Sequence, residues 1–227
     1  MPLRIENFLK PEQVAAFTRI LRDADWIDGV ATAGHLSLNA KRNRQLRETH
    51  PVAVKLGDAL LDDLERHPLF MSYALPAQVI PPLFNAYKEG ESYGPHIDGA
   101  IRPIAGHSVR VRTDISATLF LSSPEEYEGG ELIVEDAEGG SCGYKLPAGT
   151  LLLYPSTNVH HVAPVTRGER LASFFWIQSM VRSAEHRAML FNLDLLVQRV
   201  RSVLADDPCV IGLTGHYHNL LRQWADP

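Results

Sequence analysis

In the stretch Tyr93-Gly94-Pro95-His96-Ile97-Asp98 an imidazole and a carboxylate stand two positions apart. Residues i and i+2 of an extended strand project from one face, so both groups aim at a common point and could share a metal ion. The pair alone is weak evidence: with 10 histidines in 227 residues, composition predicts roughly 0.6 His-x-Asp pairs by chance. Context comes from Tyr154-Pro155-Ser156-Thr157-Asn158-Val159-His160, where a second histidine opens a later β run and could reach the first pair in a closed jelly roll. Two imidazoles and one carboxylate cover one face of an octahedron and leave the other positions open, the donor set of mononuclear non-haem iron sites. Each histidine taken singly reads equally as a surface or hydrogen-bonded core residue; the combination carries the metal reading.

Arg170 follows the turn Pro164-Val165-Thr166-Arg167-Gly168 and precedes the apolar run Leu171-Ala172-Ser173-Phe174-Phe175-Trp176. A guanidinium at the mouth of an apolar strand is costly to bury unpaired, and its fork matches a carboxylate in a bidentate contact. A bound dicarboxylate would satisfy it. So would a structural salt bridge to Glu131 or Asp114.

The elements that must position these groups fall into three blocks. Pro11 to Ala24 reads as an amphipathic helix with Val14, Phe17, Ile20 and Leu21 on one face. Val52 to Arg66 reads as a second, with Val54, Leu56, Leu60, Leu61 and Leu64 as its apolar stripe. From about Val79 the texture changes to short β-favouring runs: Leu83–Tyr87, Ile115–Leu121, Glu131–Val134, Gly143–Leu146, Thr150–Tyr154, His160–Val165 and Leu171–Gln178. Turn signals at Glu128-Gly129-Gly130, Pro147-Ala148-Gly149 and Arg167-Gly168 punctuate them and favour a barrel or double-sheet jelly roll. After Ser183 helical spacing returns in Met189, Leu190, Leu193, Leu196, Val197 and Val200, breaks at Asp206-Asp207-Pro208, and resumes to about Trp224. The expected class is mainly β with flanking helices.

Bulk properties narrow the function classes. A net charge of -5 offers no excess for general binding to nucleic acid or anionic membrane. Cys142 and Cys209 are far apart and outside any Cys-x-x-Cys spacing, which argues against disulfides and cysteine zinc sites and suits a reducing cytoplasm. The charged, proline-bearing start Met1-Pro2-Leu3-Arg4 is unlike a signal peptide. The apolar runs are shorter than the ~20 residues of a membrane helix.

Ordered strings of residues then resemble a known family, the PKHD-type hydroxylases, also described as PiuC-like iron-uptake factors, within the prolyl 4-hydroxylase-like branch of 2-oxoglutarate dioxygenases. The carriers are Tyr93 to Arg102, Arg112-Thr113-Asp114-Ile115-Ser116-Ala117-Thr118-Leu119-Phe120-Leu121, Gly129-Gly130-Glu131-Leu132, Tyr154-Pro155-Ser156 through His160 to Gly168, and His218-Asn219-Leu220-Leu221-Arg222. The resemblance implies Fe(II) held by His96, Asp98 and His160, 2-oxoglutarate anchored by Arg170, and L-ascorbate (vitamin C) as the reductant. It also implies a double-stranded β-helix core over 79–179, between an N-terminal helical support region at 1–78 and a small C-terminal helical segment at 180–227. It chooses His160 over the adjacent His161, leaves His107, His216 and His218 without a metal role, and links the activity to iron uptake or homeostasis. The implied activity is hydroxylation of a small-molecule or peptidyl substrate with dioxygen, releasing succinate and carbon dioxide.

Tyr87, Tyr93 and Thr118 are candidate polar groups toward the cosubstrate, and Tyr93, Arg102, Arg110 and Arg112 candidates for an entrance suited to an acidic or chelating molecule. The helical flanks offer apolar surface that could pair two copies as a homodimer. Two rival readings use the same ligands. One is a non-catalytic protein responsive to iron and 2-oxoglutarate, and the other is a cupin-like hydrolase or isomerase activating water on Zn(II) or Mn(II).

Overall fold

The computed structural model describes residues 2–32, 41–104, 108–136, 139–205 and 207–226. The chain opens with strand β1 (Leu3–Ile5) and helix α1 (Pro11–Arg22), followed by the short strands β2 (Ile27–Asp28), β3 (Lys41–Arg42) and β4 (Arg44–Gln45). Helices α2 (Pro51–Glu65) and α3 (Pro68–Ala74) lead into β5 (Pro76–Val79), β6 (Leu83–Lys88), β7 (Ser92–His96), β8 (Ile101–Pro103) and β9 (Arg110–Arg112). Then come β10 (Ile115–Phe120), β11 (Tyr127–Gly129), β12 (Leu132–Glu135), β13 (Ser141–Tyr144), β14 (Leu151–Pro155), β15 (His160–Val162) and β16 (Val165–Ser179). Helices α4 (Ala184–Leu204) and α5 (Pro208–Trp224) close the chain.

Every strand pairing is antiparallel. A large sheet runs β1-β14-β10-β16-β6-β4-β2, with β5 and β11 also paired to β16; a smaller one runs β13-β12-β15-β7-β3. Together they form the expected jelly roll, and among the described residues β8 and β9 pair only with each other. The N-terminal region is more than helical support: β1 extends the large sheet along β14, and the segment 41–45 crosses from β7 of the small sheet to β6 of the large one. Two- and three-residue strands carry too little alternation to be seen as β in a sequence.

Strand alternation assigns the faces. In β10, Ile115, Ala117 and Leu119 pack with Phe17, Leu21, Leu56, Leu60 and Phe70 of the helices, whereas Phe120 joins the cluster between the sheets. In β14, Leu151 and Leu153 face the helices while Leu152 and Tyr154 face inward, so the unbroken apolar run reflects burial on both faces. In β16, Phe175 and Ile177 meet the helices, leaving Arg170, Phe174 and Trp176 on the inward side with the cavity.

Three expectations are corrected. Val54 is exposed, because α2 turns Ala53, Leu56, Gly57, Leu60 and Leu64 inward. Met189 and Leu196 are exposed too; α4 buries Leu190, Phe191 and Val197, with Tyr73 of α3 edge-on to Phe191 at 5.3 Å. Arg167-Gly168 is no turn. β16 runs through it, and Gly168 pairs opposite Tyr127 of β11 at φ 79°. A Cβ there would lie 2.1 Å from the Glu126 carbonyl oxygen. Gly168→Ala is therefore expected to destabilise the fold by about 3 kcal/mol or more, from left-handed strain plus backbone displacement, measured by denaturant unfolding.

Candidate active site

His96 is the last residue of β7 and His160 the first of β15; the two strands are neighbours and the residues sit directly opposite each other. Their rings lie 4.3 Å apart between centroids. Asp98 comes just past the end of β7, so the strand alternation expected for His-x-Asp delivers His96 alone, and the chain leaving β7 brings the carboxylate round. One ligand atom from each of His96, Asp98 and His160 lies within 4.8 Å of the others, the one such histidine, cysteine and carboxylate cluster among the described residues.

The ring orientations suit a metal. Nδ1 of His96 is 2.9 Å from the Gly94 carbonyl and Nδ1 of His160 is 3.0 Å from that of Asn158. A carbonyl oxygen only accepts, so each Nδ1 donates and each Nε2 keeps its lone pair. Nε2 of His160 faces Oδ2 of Asp98 at 3.5 Å. Burial, with His160 as a second contributor, lowers the His96 pKa to about 4, which holds the ring neutral at physiological pH. Tyr93 stacks on His96 at 3.7 Å. Ser116 donates to Oδ2 of Asp98 at 2.6 Å and lies 2.7 Å from the Ser156 hydroxyl. Neither serine was among the sequence candidates, although Ser116 and Thr118, two apart in a strand otherwise apolar from Ile115 to Phe120, mark its polar inward face.

These ligands line a cavity of about 530 Å³ that also contains Arg170. Arg170 is 2% exposed, its guanidinium 5.4 Å from the ring centroids of both Tyr87 and Phe120. Its Nε is buried without a hydrogen-bond partner. Among the described residues no carboxylate pairs with it: Asp114 is taken by Arg112 at 2.7 and 2.9 Å, and Glu131 makes no ion pair. Tyr87, Tyr93 and Thr118 all line the cavity, joined by Tyr154. Burial pushes Tyr87 up to about 12 and Tyr154 further, so both hydroxyls stay protonated and able to donate.

Of the residues expected at an entrance, Tyr93 and Arg102 line the cavity. Arg110 is exposed elsewhere, and Arg112 is tied to Asp114 and to the Ser179 carbonyl. His161 points away from the cluster, His216 and His218 are exposed on α5, and His107 lies outside the described residues.

Comparison with known proteins agrees with this geometry. Residues 82–178 match the 2OG-Fe(II) oxygenase superfamily and residues 185–226 the PKHD-type hydroxylase C-terminal domain. A PKHD-type hydroxylase of Burkholderia cenocepacia is 58% identical over 227 residues, covering 100% of both chains. The chain belongs to the PKHD-type hydroxylase family. A family member from Saccharophagus degradans is 55% identical over 99% of each chain.

Solved structures share the fold at lower identity. A Pseudomonas putida prolyl-4-hydroxylase aligns over 78% of this chain and 92% of its own, at TM-score 0.52 and 21% identity. A Trichoplax adhaerens prolyl hydroxylase, in complex with a peptide fragment of hypoxia inducible factor, aligns over 83% and 86%, at TM-score 0.56 and 18% identity. Like other PKHD-type hydroxylases, this one is a 2-oxoglutarate-dependent Fe(II) oxygenase that uses dioxygen and hydroxylates a substrate. The residues present fit both groups: two imidazoles and a carboxylate for the metal, and for the dicarboxylate a buried guanidinium with no carboxylate partner among the described residues. Among the described residues no helix is long and apolar enough to cross a membrane.

Proposed function

We propose that this hydroxylase holds Fe(II) through His96 Nε2, Asp98 and His160 Nε2, and receives the distal carboxylate of 2-oxoglutarate on Arg170. The observation that carries the assignment is the buried Arg170 guanidinium, its Nε without a hydrogen-bond partner, in the same cavity as the three-ligand cluster. When bound, iron and cosubstrate couple oxidative decarboxylation of 2-oxoglutarate to hydroxylation of a C–H bond. The protein's residues supply geometry. The Gly94 and Asn158 carbonyls fix the imidazole tautomers, Ser116 orients Asp98, and Tyr87 and Phe120 keep water from Arg170.

The division at 79 and 179 is supported by the matched segments 82–178 and 185–226. Ascorbate as reductant and a link to iron homeostasis enter this reading from the family resemblance. Two free, exposed cysteines suit a cytoplasmic setting, and Leu196, Val203 and Ile211, all exposed on α4 and α5, offer a surface for a homodimer.

Anaerobic addition of Fe(II) and 2-oxoglutarate is expected to produce the weak visible charge-transfer band of the chelate, and admission of air to produce succinate. A folded, iron-loaded protein giving neither result would move the reading to a hydrolase. A band without succinate under any substrate would move it to a sensor.

A further inference from the structure

We infer that the substrate of this hydroxylase carries an oxyanion, carboxylate or phosphate, received by Arg102 and Lys41 where Phe174 and Trp176 wall the cavity. The inference deepens the proposed function and rests on its assignment of Arg170 to the cosubstrate.

The charged side chains lining the cavity are Lys41, Arg102, Arg170 and Asp98. With a ferrous dication and a dianionic cosubstrate in place, Asp98 and Arg170 bring their part of the cavity to neutrality. Lys41 and Arg102 both line the same space, and among the described residues Asp98 is the one carboxylate that lines it. Asp98, whose charge is matched once the dication is bound, and then Glu48 act on Arg102, and Asp28 acts on Lys41; neither Glu48 nor Asp28 lines the cavity.

Both cations are held rather than waving in solvent. The Arg102 guanidinium lies 3.9 Å from the Trp176 ring centroid and, among the described residues, makes no ion pair. Lys41 is 5% exposed, donates to Gln45 Oε1 at 2.8 Å, and sits 5.5 and 6.0 Å from the rings of Tyr93 and Phe174. Burial first, then repulsion from Arg102, lowers its pKa to about 8, so the free site disfavours a charge that an incoming anion would favour. Phe174 and Trp176 stand four and six residues beyond Arg170 on one strand, roughly 13 and 20 Å along it. The two cationic stations are thus separate, and one cosubstrate molecule does not fill both.

Calorimetric titration of the anaerobic Fe(II)·2-oxoglutarate protein with hydrocinnamate, its neutral primary amide and phenyl phosphate tests the inference. The expected result is binding of at least one anion about tenfold or more tighter than the amide, with the chelate band retained. Arg102→Gln and Lys41→Gln should bring that ratio toward unity without loss of the band. Preference between hydrocinnamate and phenyl phosphate identifies the oxyanion. Equal binding of anion and amide, no anion binding up to about millimolar concentration, or a ratio preserved in both variants would overturn the inference. Failure to form the band at all counts instead against the proposed function.

Discussion

Replacing Arg170 by methionine raises the 2-oxoglutarate concentration needed to form the chelate by roughly 30-fold to several thousand-fold, while the metal-free fold is as stable as before or more so. The first half follows from losing a desolvated, charge-assisted contact worth about 2–5 kcal/mol. The second follows from the absence of a carboxylate partner among the described residues. A buried cation without a carboxylate within ion-pair distance among the described residues is a cost to the unliganded fold, and a side chain of similar reach without the charge removes it.

These two readouts separate the cosubstrate anchor from a structural role. Were Arg170 the core of a buried salt bridge, its loss would destabilise the protein by about 3–5 kcal/mol and leave 2-oxoglutarate dependence where it was. Chelate-band titration and urea unfolding of the metal-free protein read both quantities on one sample. An unchanged titration in the folded variant would remove Arg170 from the site.

His96→Ala, Asp98→Ala and His160→Ala should each drop iron, measured by elemental analysis after desalting, from about one equivalent per chain to near zero. The cluster has three protein donors, and losing one removes both a bond and the chelate geometry. His161→Ala is the internal comparison. It alters the neighbouring imidazole on β15, whose side chain points to the other face, and should keep its iron. Far-UV circular dichroism should be unchanged throughout, because no large sheet depends on these side chains for its hydrogen bonds. Iron retained by His160→Ala and lost by His161→Ala would reverse the assignment.

The long elements were readable because their periodicity is strong. The apolar spacing of Val14, Phe17, Ile20 and Leu21, and the run from Leu151 to Tyr154, each have a direct counterpart in α1 and β14. The strands β1 to β4 left no such trace, since two or three residues complete no alternation, yet they carry Lys41 to the cavity. Helix α3, seven residues long, was equally silent. At the site, His96, Asp98 and His160 were legible as types and spacing. Ser116, Ser156 and Tyr154 were not, because their part depends on which way a strand faces. Arg112 looked like a cavity residue until Asp114, two positions away, proved to be its partner. Gly168 read as a turn because sequence shows the freedom of glycine but not the neighbouring backbone that demands it.

Arg102 sits on the β8–β9 pair, whose backbone ladder joins neither large sheet, whereas Arg170 sits in β16, hydrogen-bonded along its length to β10, β6, β5 and β11. Any shift in β16 would disturb four neighbours at once, so Arg170 is locked into the frame. Ile101, Arg102 and Pro103 stand outside that frame's hydrogen-bond ladders. The fold thereby carries one cavity arginine inside its most heavily paired strand and the other on a ribbon outside both large sheets.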